Sequence, residues 1–291
     1  MSAFSFKGFN ANAYLALRPT YNKALVEWLL GYHVGQRVRA ADIACGPGTF
    51  TVDLSSEFDH ILGVDPSLSM IQSAQSNARA NNIANIDYEQ GFGESLPIAT
   101  NTVDLLTVMQ GAHWFKFADF LSEAQRVLRS GGTLALVGYE YPEIANWPES
   151  MNGRNFARTL ATDKHLLRNY WDDGFTLIDE LYVPFLDAIR ASPEFVDIQH
   201  LQSPKCNQAT GQFGTDALPE SWIDSRTMPL DGFRAYTKTW SAYKSWKDRH
   251  PHNPDIIDTY FDEQQSVLGK SGNDEVKIEW PHFAIVARKR L

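Results

Sequence analysis

The sequence predicts an α/β protein built on a doubly wound, mostly parallel sheet, and two observations carry that expectation. Between Val38 and Gly138 short β-rich runs alternate with helical stretches, the pattern of parallel strands joined by covering helices. At the end of the first run the chain reads Asp42-Ile43-Ala44-Cys45-Gly46-Pro47-Gly48, a glycine turn leading from an apolar strand into a helix.

Taken in order, the strands are expected at Val38 to Ala44, His60 to Val64, Ile86 to Gln90, Val103 to Met109 and Thr133 to Gly138. Helices are expected to begin near Thr49, Ser67 and Ala118, the last stopped by Gly131-Gly132. Sheets of this kind take ligands beyond the carboxyl ends of their strands, where the strand order reverses, so the site is expected at Cys45 to Gly48.

Around this core, 35–140, three further segments are predicted. Residues 1–34 form an N-terminal helical lid, with a short amphipathic helix at Ala24 to Leu30 that ends at Gly31. Residues 141–230 are irregular, rich in proline, tryptophan and acidic residues, with a helical piece at Phe156 to Tyr170, and are read as a helical insertion that shapes a substrate site. Residues 231–291 carry a helix at Phe233 to Lys247, then Val276 to Trp280 and His282 to Arg288 as a terminal hairpin joining the sheet.

Composition narrows the function classes. With 43% hydrophobic and 21% charged residues, a packed core is expected rather than disorder. A formal charge of −9 argues against a phosphate-tracking surface, so no nucleic-acid partner is expected. Cys45 and Cys206 share no metal-ligand or redox spacing, which points to no metal site and to a reducing, cytoplasmic setting. The N-terminus has no export pattern and no apolar run reaches spanning length, so no membrane association is expected.

Gly46 and Gly48 let the backbone turn tightly beside a ligand, while the following helix directs unpaired N–H groups at it. The dinucleotide pattern would place a third glycine where Thr51 stands, which favours a ligand without a pyrophosphate over a nicotinamide cofactor. Asp65, at the end of the second strand, is suited to accept hydrogen bonds from ribose hydroxyls. In Gly91-Phe92-Gly93-Glu94-Ser95-Leu96-Pro97, an apolar residue is placed to cover an adenine and polar groups to meet its amino group.

As an ordered set these residues resemble the class I methyltransferase family. The resemblance implies a Rossmann-like, seven-stranded sheet and S-adenosyl-L-methionine as cofactor, held by Asp42, Ala44, Gly46, Gly48, Asp65, Pro66, Phe92, Glu94 and Gln110. Asp42 there organises the loop, the other reading being a capping or sheet-end residue; Glu94 is equally a solvated loop glutamate. Ala44 stands where the family usually has its first glycine, and alanine fits the turn with a negative φ.

The fourth strand ends in Met109-Gln110-Gly111-Ala112-His113-Trp114-Phe115, without the Asn-Pro-Pro-Tyr or Asp-Pro-Pro-Tyr run common in amine and adenine-base methyltransferases. Together with Tyr14, Arg18-Pro19-Thr20-Tyr21 and Thr239 to Lys247, this segment resembles the trans-aconitate methyltransferase group, fungal members most closely; Asn22 replaces a second proline common there. The resemblance implies methyl transfer to a carboxylate oxygen of a small-molecule acid, giving a methyl ester. Such an acid is already ionised at neutral pH, so positioning groups rather than a general base are expected to dominate.

Arg18 is the expected carboxylate anchor, its other reading a surface or capping arginine. His113 is expected to donate to the substrate and Trp114 to wall the pocket, unless the two are a structural pair. Tyr14 and Tyr21 are candidates for orienting substrate or cofactor carboxylate. Tyr236, Trp240 and Tyr243 recur at helical spacing on one face, as core or as a wall in which Trp240 and Tyr243 touch substrate. Two alternatives stay open at this point: methylation of a hydroxyl or phenol, with His113 as base, and a non-catalytic S-adenosylmethionine-binding partner or sensor.

Overall fold

The computed structural model describes residues 17–21, 23–203, 206, 216–217 and 224–291; Tyr14 and Asn22 lie outside them. After α1 (Lys23–Tyr32) the chain enters β1 (Arg39–Ile43), α2 (Thr49–Asp53), β2 (His60–Asp65), α3 (Leu68–Ala80), β3 (Ile86–Gln90) and β4 (Val103–Met109). A 3₁₀ turn at Ala112–Trp114 leads into α4 (Phe117–Val127) and β5 (Leu128–Tyr139). The predicted stop at Gly131-Gly132 is corrected: Leu128 is already extended, so the helix ends at Val127 and both glycines lie inside β5.

The second half begins with β6 (Glu143–Ile144), α5 (Gly153–Thr162), α6 (Thr176–Asp179), α7 (Val183–Ala191), β7 (Phe195–Gln202) and β8 (Asp216–Ala217). It closes with β9 (Asp224–Pro229), α8 (Leu230–Thr237), α9 (Ser241–Arg249), α10 (Ile256–Leu268), β10 (Glu275–Trp280) and β11 (His282–Lys289).

The main sheet has the order β3-β2-β1-β4-β5-β11-β7, with two-residue β8 at its edge. Strands β1 to β5 run parallel and β11 is antiparallel to both β5 and β7. From β1 the order proceeds to β2 and β3 on one side and to β4 and β5 on the other, so the reversal falls beyond Ile43 and Met109. Every residue of β4 is buried, as a central strand covered on both faces requires, whereas edge strand β3 is largely open. Phe120, Leu121, Ala124 and Val127 form the buried stripe of α4 on one face, and Leu25, Leu29 and Phe50 pack on the other.

The predicted terminal hairpin does not form. Only Pro281 separates β10 from β11, too short a link for a reversal, and the two strands pair in different sheets. β10 joins β6 and β9 in a three-stranded antiparallel sheet, and the seventh long strand of the main sheet is instead β7, from the segment read as irregular. The small sheet, with α5, α8, α9 and α10, encloses a second core around Trp280, Phe233 and Phe261. This cap therefore draws on both 141–230 and 231–291.

Three helix boundaries also move. The helix expected from Phe156 to Tyr170 ends at Thr162, the one expected from Phe233 to Lys247 breaks between Thr237 and Ser241, and α1 continues through Gly31 to Tyr32.

Candidate functional site

A cavity of about 660 Å³ opens at the carboxyl ends of the parallel strands, between the core and the cap. That volume is in the range of cavities that enclose small-molecule cofactors. It is lined by Ala44 to Pro47 after β1, Asp65 and Pro66 after β2, Phe92 to Glu94 after β3, Met109 to Gly111 after β4, and Tyr139 at the end of β5.

The turn after β1 is built by buried hydrogen bonds. Asp42 accepts from the hydroxyls of Thr51 (2.6 Å) and Thr107 (2.9 Å), tying α2 and β4 to β1. Thr51, where a third glycine would stand in a dinucleotide loop, thus anchors the loop from below. Burial pushes the Asp42 carboxyl up to about 6. Gly46 (φ 55) and Gly48 (φ 78) adopt the left-handed conformation. Gly48 stands behind the turn, where a Cβ would meet the Tyr88 hydroxyl at 2.5 Å. Ala44 also has a positive φ, 55°, so the negative φ that would suit alanine is not adopted and the residue takes up left-handed strain at the turn.

Asp65 accepts the backbone N–H of Gly46 (3.0 Å) on one oxygen and that of Ser67 (2.8 Å) on the other. A carboxylate has about four acceptor positions, so capacity for two hydroxyl donors is left on a group that lines the cavity. Burial raises its pKa to about 6. Phe92 is 61% exposed at the rim, an unburied ring available to cover a flat heterocycle. Glu94 accepts the Lys116 N–H at the start of α4 (2.8 Å), which gives this loop glutamate a structural tie while it still lines the cavity. These groups fit a nucleoside carrying a ribose with free hydroxyls.

A side chamber of about 50 Å³ shares Arg18, Gln110, His113, Trp114 and Tyr139 with the large cavity. Arg18 donates from Nη1 to the Tyr139 hydroxyl (3.1 Å) and from Nη2 to the Thr239 carbonyl (3.0 Å), and its guanidinium lies 5.5 Å from the Tyr236 ring. The charge is thereby fixed at the junction. His113 is buried, and desolvation followed by the nearby Arg18 charge lowers its pKa to about 3, so its ring is neutral. Gly174 presses on it from the cap; a Cβ there would lie 2.0 Å from the His113 carbonyl oxygen. The Gln110 side chain spans β4 and β5, accepting from the Tyr139 N–H (2.6 Å) and donating to the Tyr139 carbonyl (3.2 Å).

Residues 41–136 match the methyltransferase domain family. A Saccharomyces cerevisiae protein named "Probable S-adenosylmethionine-dependent methyltransferase CRG1" is 28% identical over 288 residues, covering 98% of this chain and 97% of its own. A Dictyostelium discoideum protein also named as a methyltransferase is 27% identical, covering 97% of this chain and 94% of its own. A solved Anaeromyxobacter dehalogenans structure, described as a type II methyltransferase, shares the fold with a TM-score of 0.65 and 22% identity, covering 93% of this chain and 97% of that one. The protein is an S-adenosylmethionine-dependent methyltransferase with the class I fold.

Of the residues expected in the methyltransferase site, Asp42, Ala44, Gly46, Asp65, Pro66, Phe92, Glu94, Gln110, Arg18, Tyr21, His113 and Trp114 line the large cavity, and Gly48 supports it from behind. Trp240 lines the side chamber and Tyr236 beside it is both core and wall. Tyr243 lines neither cavity: the helix break at Trp240 turns it away, and its hydroxyl donates to Asp255. Sequence reading missed Tyr139, Glu140 and Tyr141, whose position at and just past the end of the fifth strand is a usable signal, and Trp171, Phe175 and Tyr182, which follow no periodicity. Among the described residues no cluster of metal-ligating side chains is present, and no helix is long and apolar enough to cross a membrane.

Proposed function

We propose that this methyltransferase transfers a methyl group to a carboxylate oxygen of a small-molecule acid, giving a methyl ester. The observation that carries the reading is the fixed Arg18 guanidinium at the junction of the two cavities, beside a neutral, buried His113. A guanidinium in that place holds an ionised carboxylate by paired hydrogen bonds. A histidine whose pKa has fallen to about 3 is a poor base for a hydroxyl or phenol, so an acceptor that arrives already ionised suits the site.

In this account Asp65 takes the ribose hydroxyls, Phe92 covers the adenine with Glu94 and Pro66 alongside, and the Ala44–Gly48 turn approaches the amino-acid end, with Asp42 and Gln110 holding the strand ends. S-adenosylmethionine supplies an electrophilic methyl on a sulfonium. With that donor bound, transfer to an acceptor that is already ionised would require no residue of this chain to remove a proton. Arg18, Tyr21, His113 and Trp114 orient the acid; fixed alignment of this kind contributes roughly 7–11 kcal/mol in well-oriented reactions. Among the described residues, Arg18 and Tyr21 from 1–34, Trp171 and Phe175 from 141–230 and Tyr236 and Trp240 from 231–291 line the cavities beside the 35–140 core, whose sheet the last segment closes with β11. The buried free thiols of Cys45 and Cys206 favour a reducing, cytoplasmic setting, with no nucleic-acid or membrane partner.

The test is the pH dependence of kcat with both substrates saturating. A flat profile from pH 7 to 9 is expected. A rate that rises about tenfold per pH unit, as for a hydroxyl that must ionise, contradicts the reading.

A further inference from the structure

The side chamber bears on which acid is taken, and the inference rests on the carboxylate reading above. Beyond the junction its described walls include the rings of Tyr141, Trp171, Phe175, Tyr236 and Trp240. Trp171 is stacked on Phe175 with centroids 3.6 Å apart and planes 12° from parallel, and Trp240 lies 5.6 Å from Trp171. The Trp171 indole N–H donates to the Ala161 carbonyl (2.8 Å), which fixes that ring by its polar edge and leaves its apolar surface for packing.

Among the described lining residues, Arg18 is the one formal cation and Glu140 the one carboxylate. Glu140 is buried and already matched by Arg158, whose Nη2 is 2.9 Å from its Oε1. A second or third carboxylate on an acceptor would face Glu140 and the electron-rich faces of the rings, and the nearby Arg158, stacked over Tyr141, is already paired with Glu140. An ammonium body would suit the rings but would lie against Arg18.

We propose that the acceptor is a monocarboxylic acid, its one carboxylate set at Arg18 and a small, flat, uncharged body lodged among Trp171, Phe175 and Trp240. The polycarboxylic acids suggested by the sequence resemblance are then poor substrates.

The experiment is a panel of kcat/KM values for the full-length enzyme with S-adenosylmethionine, using benzoic and cinnamic acids against trans-aconitic and citric acids, with methyl esters detected by mass. At least a tenfold preference for the aryl monoacids is expected, and Trp171→Leu should reduce it at least fivefold while S-adenosylmethionine affinity, the check on folding, holds within twofold. Phe175→Leu is the second variant should Trp171→Leu fail to fold, with the same expectation. Equal or better turnover of the polyacids, or an aryl preference unchanged in the folded variant, overturns the proposal. Methylation of a hydroxyl or amine with no ester from any acid overturns the carboxylate reading itself, and this proposal with it.

Discussion

The hydroxyl of Tyr182 lies 3.0 Å from Nδ1 of His113, beneath the junction of the two cavities. Both side chains are buried. In one arrangement of this pair the hydroxyl hydrogen is directed to Nδ1. His113 then carries its proton on Nε2, as a donor rather than a base. Tyr182→Phe keeps the ring packing and releases the tautomer. Loss of one such bond is worth about 1–1.5 kcal/mol, so kcat/KM for the acid should fall roughly tenfold with S-adenosylmethionine affinity within twofold. Unchanged kcat/KM would show that the bond is structural only.

Arg18 is held by the Tyr139 hydroxyl, the Thr239 carbonyl and the Tyr236 ring. Lysine keeps the charge and loses the planar fork. Arg18→Lys should raise the acceptor KM about 10- to 100-fold, the cost of a charge-assisted bond of roughly 1.5–3 kcal/mol. Steady-state kinetics at saturating S-adenosylmethionine reads it; an unchanged KM would remove Arg18 from acceptor binding.

Burial raises the Asp65 pKa to about 6, and hydroxyl donors favour its ionised form. S-adenosylmethionine affinity should therefore strengthen as pH rises through 6 and level off above 7. Calorimetry at pH 5, 6 and 7.5 checks the sign. Asp65→Asn should weaken binding at least tenfold at pH 7.5 and flatten the trend; affinity that weakens with rising pH would contradict the assignment.

How much of this was legible in the sequence differs by region. Strands β1, β2 and β4 are short, mostly apolar runs bounded by turn residues, and the ends of β1 and β2 with the loops after β1 and β3 carry Asp42, Gly46, Asp65 and Phe92 in order, so local chemistry names both strand and site. The cap is different. Glu143–Ile144 is too short for a pattern, β7 reads Phe195-Val196-Asp197-Ile198-Gln199-His200-Leu201-Gln202 with little apolar continuity, and Trp171 meets Trp240 through tertiary packing alone. The spacing of Tyr236, Trp240 and Tyr243 satisfies a helix period although the backbone breaks between them, so the pattern leaves core and wall open and only the fold shows that Tyr243 lines neither cavity.

Ala44, with φ 55°, offers a test by stability that needs no ligand. Glycine relieves about 1–2 kcal/mol of left-handed strain and returns roughly 0.5–1 kcal/mol through unfolded-chain entropy. Ala44→Gly should raise the melting temperature by about 1–3 °C, and a decrease would show that the methyl group contributes more by packing than the turn costs.

The most direct measurement is the identity of the methylated product. The enzyme is incubated with methyl-labelled S-adenosylmethionine and a metabolite extract, and the labelled product is isolated and identified by mass. A product that releases its labelled methyl group as methanol under mild base, leaving a free carboxylic acid, is the result predicted. A base-stable labelled ether or amine would contradict the account.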